Sequence, residues 1–289
     1  MRSILIAFAT YSRIPMPKTE WREKDSRYAI CAFPLVGVVI AAAELLLLWG
    51  AKMPALPLPA TVCLIAALPV LITGGIHLDG FVDTSDARSS YGSREKKLEI
   101  LKDPHVGAFG IIRLILYFLL AYSGLMILLS MQAGGEAGNA AEAVRDFVPY
   151  RGLFPGSLLA ATVLPVLSRA LSGLSAELLP KAKKDGMLAE MLRSAPEEQG
   201  TGKKRQGPVA VTVLILWLIV CIAAILYTDP AGGAAVLLAE AVLLLYYRRM
   251  CKKEFGGVTG DLAGWYLCMA ELTGIWALAV CGMVRQLLP

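Results

Sequence analysis

Seven stretches of this chain are apolar over about the 20 residues that a helix needs to cross roughly 30 Å of hydrocarbon. They run approximately over 28–49, 59–78, 108–131, 152–179, 207–228, 231–247 and 262–284. The second runs into a polar motif, Pro155 and Pro165 mark the fourth for a kink or a break, and the sixth is short. A soluble domain carries about a quarter charged residues. Here 18% are charged and 56% hydrophobic, and the mean hydropathy is +0.60. The apolar blocks cover the whole length, which predicts one integral membrane domain over 1–289 rather than two soluble ones. The expected fold is all-α, a polytopic bundle with the lipid bilayer as its solvent.

Lys and Arg gather in alternate loops, as they do on the cytoplasmic side of a membrane protein. Lys18, Arg22, Lys24 and Arg27 precede the first stretch, and Arg88, Arg94, Lys96, Lys97 and Lys102 follow the second. Seven more bases between Lys181 and Arg205 follow the fourth, and Arg248, Arg249, Lys252 and Lys253 follow the sixth. The N-terminus is therefore expected inside and the C-terminus outside, with a polar cytoplasmic loop at about 180–206. The opening MRSILIAFATYSRIPMP is interrupted by Arg13 and two prolines and has no small-residue cleavage site. It is expected to be retained as an interfacial or re-entrant segment. The net charge of +5 is divided among loops, which argues against nucleic acid as a partner. Six cysteines lie mostly in apolar runs without zinc spacing. A homo-oligomer is compatible with all of this.

The chemistry concentrates in TGGIHLDGFVDTSDARSS, Thr73 to Ser90, where Asp79, Asp83 and Asp86 stand at i, i+4 and i+7. On a helix they share one face, and like charges so placed repel by a few tenths of a kcal/mol per pair. A divalent cation removes that conflict. Oxygen donors without a Cys cluster favour Mg²⁺ or Mn²⁺, and Mg²⁺ commonly joins one or two carboxylates to substrate phosphates. Phosphoryl transfer is the expected chemistry; the competing reading is a solvated helix end with ordinary loop acids. Gly80 and the pair Gly74-Gly75 allow a bulky ligand close to the backbone. His77 reads either as a ligand or acid/base group, or as a hydrogen-bonded structural residue.

Two further polar clusters lie beside membrane segments. LKDPHVGAFGIIR, Leu101 to Arg113, supplies Asp103, His105, Gly107 and Gly110 at a helix entrance, suited to an anion or to a capped glycine-rich loop. FGGVTGDLAGWYLCMAEL, from Phe255, supplies Gly257 and Asp261, a substrate contact or a helix cap, and then Glu271. Glu271, Glu44 and Glu240 fall inside expected spans, where burial of acid is costly. Arg13 and Arg169 are the basic counterparts, either of which could clamp a phosphate; for Arg169 the alternative is snorkelling or pairing with an acid.

Taken together, ATYSRIPMP, AFPLVGVVIA at 32–41, GGIHLDGFVDTSDA at 74–87, LKDPHVGAFG at 101–110 and GGVTGDLAG at 256–264 resemble the cobalamin synthase, or adenosylcobinamide-GDP ribazoletransferase, family. The five motifs stand in that family's order from residue 9 to about 271. The resemblance implies an inner-membrane enzyme joining adenosylcobinamide-GDP to α-ribazole or its 5′-phosphate, releasing GMP, with Mg²⁺ required. It carries the acidic signature onto Asp79, Asp83 and Asp86, with Gly80 between the first two. Ala87 stands where glycine is commoner in the family, and Leu78 where other members can carry an acid. Asp79 and Asp83, helped by Asp86, are the expected Mg²⁺ ligands, and Asp86, His77 or Asp103 the expected proton acceptor. Arg13, Gly80, His105, Gly107, Gly110, Arg169, Gly257 and Asp261 are the expected substrate contacts. The rival functions are a CDP-alcohol phosphotransferase-like lipid enzyme, whose full aspartate, glycine and Ala-Arg pattern is missing here, and a secondary transporter working through the intramembrane acids.

Overall fold

The computed structural model describes residues 2–17, 25–26, 28–50, 56–131, 156–182 and 208–287. Pro155, the basic residues Lys18, Arg22, Lys24 and Arg27, and most of the expected loop at 180–206 lie outside the described residues. The elements are α1 (Arg2–Tyr11), α2 (Phe33–Gly50, entered through a 3-10 turn Ala29–Ala32), α3 (Leu58–Thr73) and α4 (Ile76–Ser89). There follow α5 (Arg94–Ile100), α6 (Ala108–Ser130), α7 (Gly156–Leu178), α8 (Pro208–Thr228), α9 (Pro230–Met250) and α10 (Gly260–Leu287). The described residues hold no strand, only an isolated bridge between Lys181 and Val258.

Six helical segments are long and apolar enough to cross a membrane, and α3 with α4 makes a seventh only as a pair bent by 97°. The chain is an all-α, multi-pass membrane bundle. The bend corrects the expectation of one helix over 59–78: Gly74 and Gly75 both adopt left-handed φ, +70° and +81°, a conformation that favours glycine and ends helices. Past the bend α4 is 14 residues long and polar, with three aspartates, so it turns aside from the apolar α3 instead of prolonging it. The sixth segment is longer than expected, because α9 runs on through a π-helical turn at Cys251–Phe255. Pro165 stays inside a continuous α7.

The bundle is built around α7, whose spanning window is 67% buried against 22% for α6 and α8. Its small residues, among them Ala160, Ala170, Gly173 and Ala176, let α2, α8 and α10 pack close, as small residues do in lipid. At Gly37 a Cβ would lie 2.4 Å from the Pro165 carbonyl oxygen, so α2 meets α7 almost backbone to backbone. α1 packs its Ile6 and Ala7 against Ala29 and Ala32. A second apolar cluster, with Phe81, Val82, Tyr247, Phe255, Leu262 and Trp265, fastens α4 to α9 and α10.

Candidate active site

Two glycines set where α4 lies. A Cβ on Gly80 would stand 2.8 Å from the Asp261 Cα and carbonyl oxygen, and one on Gly264 would stand 2.8 Å from the His77 carbonyl oxygen. The first turns of α4 therefore cross the N-terminus of α10 at contact distance, which puts Asp261 beside the aspartate face. Thr259 already caps α10, its Oγ1 accepting from the Leu262 N–H at 3.2 Å. Asp261 thus adds a fourth carboxylate to the three of α4. Burial, and then the charges of Asp79, Asp261 and Asp86, push the Asp83 carboxyl up to about 6, the response expected when like charges share a site without a counterion.

Asp86 has a second attachment. Its Oδ1 accepts from the Gly110 N–H at 3.0 Å, and its carboxylate occupies the space where a Cβ on Gly107 would be. Gly107 is the N-cap residue of α6 and brings no side-chain cap, so Asp86 supplies that cap from another helix, favoured also by the α6 dipole. Gly107 and Gly110 thus join the cluster by admitting Asp86. At the other end of α4, Arg13 donates its backbone N–H to the Ile72 carbonyl at 2.8 Å, and its side-chain stem covers Gly74. Asp79 lies next to that bend, on an open depression of about 320 Å³ floored by Gly74, Leu78, Val82 and Leu114.

Other expected site residues lie elsewhere. His77 precedes the aspartates by two, six and nine positions, and at about 100° per residue this turns it to the opposite side of α4. Its ring packs 6.2 Å from Tyr11 and 5.3 Å from Phe33, centroid to centroid. Arg169 is enclosed in the bundle, its Nη1 donating to Glu271 Oε1 and to the Pro165 carbonyl, both at 2.7 Å. That is the acid-paired alternative of the sequence reading. Asp103 and His105 pair with each other on the surface at 2.8 Å; hydrogen bonds from the His105 backbone and ring hold the Asp103 carboxyl below its usual range. Gly257 serves backbone packing, since a Cβ there would fall 2.5 Å from Lys181 and Ala182, and its neighbour Val258 hydrogen-bonds to Pro180 and Ala182.

The sequence did not indicate the fastening of the far end of α4. Arg88 and Lys97, counted as topological bases, both meet Glu254 of the π-turn, at 3.5 and 2.7 Å. Arg88 also donates to the Tyr246 hydroxyl at 2.5 Å and lies over the Tyr246 and Trp265 rings. The charged residue ending a basic run, KKE at 252–254, was the available signal.

The cluster suits a hard cation by donor type, since every group in it is a carboxylate oxygen. Among the described residues no three His, Cys, Asp or Glu side chains are grouped so as to hold a metal ion. Mg²⁺ asks for less, one or two carboxylates with water and phosphate oxygens completing the shell. An open face of carboxylates fits that requirement.

Comparison with known proteins gives this arrangement its context. The family described as cobalamin-5-phosphate synthase matches residues 3–279. A protein of Lachnoclostridium phytofermentans named adenosylcobinamide-GDP ribazoletransferase is 35% identical over 272 residues, covering 94% of this chain and 91% of its own. One of Clostridium perfringens with the same name is 29% identical over 283 residues, 96% of this chain and 98% of its own. No solved structure matches the chain. The match runs through every motif around the α4 carboxylates, and the chain belongs to the cobalamin-5-phosphate synthase family.

Proposed function

We propose that this protein catalyses the reaction for which its relatives are named, joining adenosylcobinamide-GDP to α-ribazole or α-ribazole 5′-phosphate. The products are adenosylcobalamin or its 5′-phosphate, and GMP. The observation that carries the reading is the meeting of the α4 aspartates with Asp261 across Gly80.

Asp79 and Asp83 would hold a Mg²⁺ ion, with Asp86 and Asp261 adjoining. Mg²⁺ bound there supplies charge neutralisation to the pyrophosphate and the departing GMP. The ribose 3′-hydroxyl of the acceptor attacks the phosphorus attached to cobinamide; the bridging P–O bond breaks and GMP leaves with its electrons. Of the candidate proton acceptors, His77 faces away from the aspartates and the Asp103 carboxylate is held by His105. Asp86, hydrogen-bonded to Gly110 and beside the cluster, takes the proton. Arg13, at the start of α4, binds a phosphate oxygen. The basic loops support placing this end in the cytoplasm, with the protein in the inner membrane.

The test is an assay of the full chain in lipid nanodiscs for GMP release and corrinoid product, with each acceptor, with and without Mg²⁺. Mg²⁺-dependent formation of both products is expected. A folded preparation that forms neither would overturn the proposal.

A further inference from the structure

Away from the aspartate face, α2, α3, α6, α7 and α10 enclose a cavity of about 50 Å³. Glu44 lies 11 residues into α2, roughly 16 Å along the helix axis, and so in the hydrocarbon region. Glu44 and Glu271 both line the cavity and are 7% exposed. The Glu271 hydrogen bonds, from Ser168 and Arg169, both fall on Oε1. Glu44 has no hydrogen-bond partner among the described residues.

The rest of the polar lining is Thr162 and Tyr117, whose hydroxyls can each offer an oxygen lone pair. Thr162 gives its hydroxyl proton to the Leu159 carbonyl at 2.8 Å, leaving lone pairs. Ile65 and Ala161 line the same cavity, and four residues on from them stand Pro69 and Pro165, inside α3 and α7. A proline has no N–H, so neither carbonyl receives its helical hydrogen bond. With both carboxylates ionised, one guanidinium leaves a net charge of one negative unit, which is costly in the bilayer interior. Water could fill the space but would not neutralise it, and a divalent ion would overshoot.

We infer that the cavity binds one monovalent alkali cation, held by Glu44 and Glu271 with the Ile65 and Ala161 carbonyls. Broken membrane helices present carboxylates and freed carbonyls to such ions in the same manner. The cation makes the Glu44, Glu271 and Arg169 group neutral and ties together the five helices that carry α4. Its role is separate from the divalent ion at the aspartate face.

The probe is NaCl against KCl and against choline chloride at constant ionic strength, with thermal unfolding of the full chain in nanodiscs as readout. Sodium or potassium is expected to raise the wild-type Tm by about 2–4 °C over choline. Glu44→Gln should lose the shift and keep Mg²⁺-dependent turnover. Pro69→Ala, which restores an N–H to the Ile65 carbonyl, should lose at least about half of it. Identical wild-type Tm in all three salts, or an undiminished shift in Glu44→Gln, overturns the proposal. A Glu44→Gln protein as stable as wild type in every salt, with wild type itself indifferent to salt, assigns a bound proton to Glu44 and also overturns it. If Glu44→Gln does not fold, an unchanged shift in Pro69→Ala does the same.

Discussion

The protein holds two groups of acids in opposite ways. Inside the bundle Glu271 has its countercharge built in, with Arg169 at 2.7 Å and both side chains nearly removed from solvent. On the aspartate face Asp79, Asp83 and Asp86 have no comparable Arg or Lys partner among the described residues, and Asp83 keeps its proton up to about 6. The nearby bases Arg88 and Lys97 are bound instead to Glu254. In hydrocarbon a charge left unpaired would destabilise the fold, so Glu271 is paired with Arg169 within the chain. At a reaction surface the deficit of positive charge can be left for the ligand to fill.

The largest expected effect lies on the paired side. Arg169→Met should destabilise the protein by about 3–5 kcal/mol, because Glu271 is left buried and uncompensated. Adding Glu271→Met should recover most of that loss in denaturant titrations of the reconstituted protein. A single variant as stable as the double would show that the pair is not isolated from water.

On the unpaired side, Asp83→Asn should insert and melt normally yet lose about 10²–10³-fold in Mg²⁺-dependent turnover. Near-normal GMP release would remove Asp83 from the cation site. Gly80→Ala drives a Cβ into the Asp261 backbone, so α4 must move off α10. A loss of about 1–3 kcal/mol in stability and about tenfold in turnover is expected, the latter measured at saturating Mg²⁺.

The pH response separates the two groups further. The Asp83 carboxyl is raised in the folded protein, so its protonated form favours the fold. That contribution is complete below about pH 4, its unfolded value, and fades as pH rises through about 6. A cation competes for the same oxygens, so Mg²⁺ affinity should climb by up to about tenfold per pH unit below 6 and level off above. Calorimetric titrations at pH 5, 6 and 7 check the slope. The smallest effect is expected for Asp103→Asn, within about threefold of wild-type turnover, because that carboxylate is engaged with His105 at the surface.

The aspartate face was legible because i, i+4 and i+7 share a helix face in any context. The same periodicity already excluded His77 from it, although the sequence alone kept His77 as a candidate. Asp86 as the cap of α6, and Asp261 as the fourth acid, depend on helices that meet only after the chain has turned at Gly74-Gly75. Gly80 and Gly264 recorded those approaches, but a glycine does not name the backbone it admits.

By itself the sequence determined the membrane, the helical class, the family resemblance and the acidic motif. These follow from local quantities: apolar run length, charge placement and helical repeat. Only the tertiary structure decided which charges are paired. It gave Arg169 to Glu271, Arg88 and Lys97 to Glu254, and left the aspartates beside Asp261 without such a partner. Pairing depends on approaches of a few ångströms between residues up to about 180 positions apart, and those distances are set by packing, which no local pattern encodes.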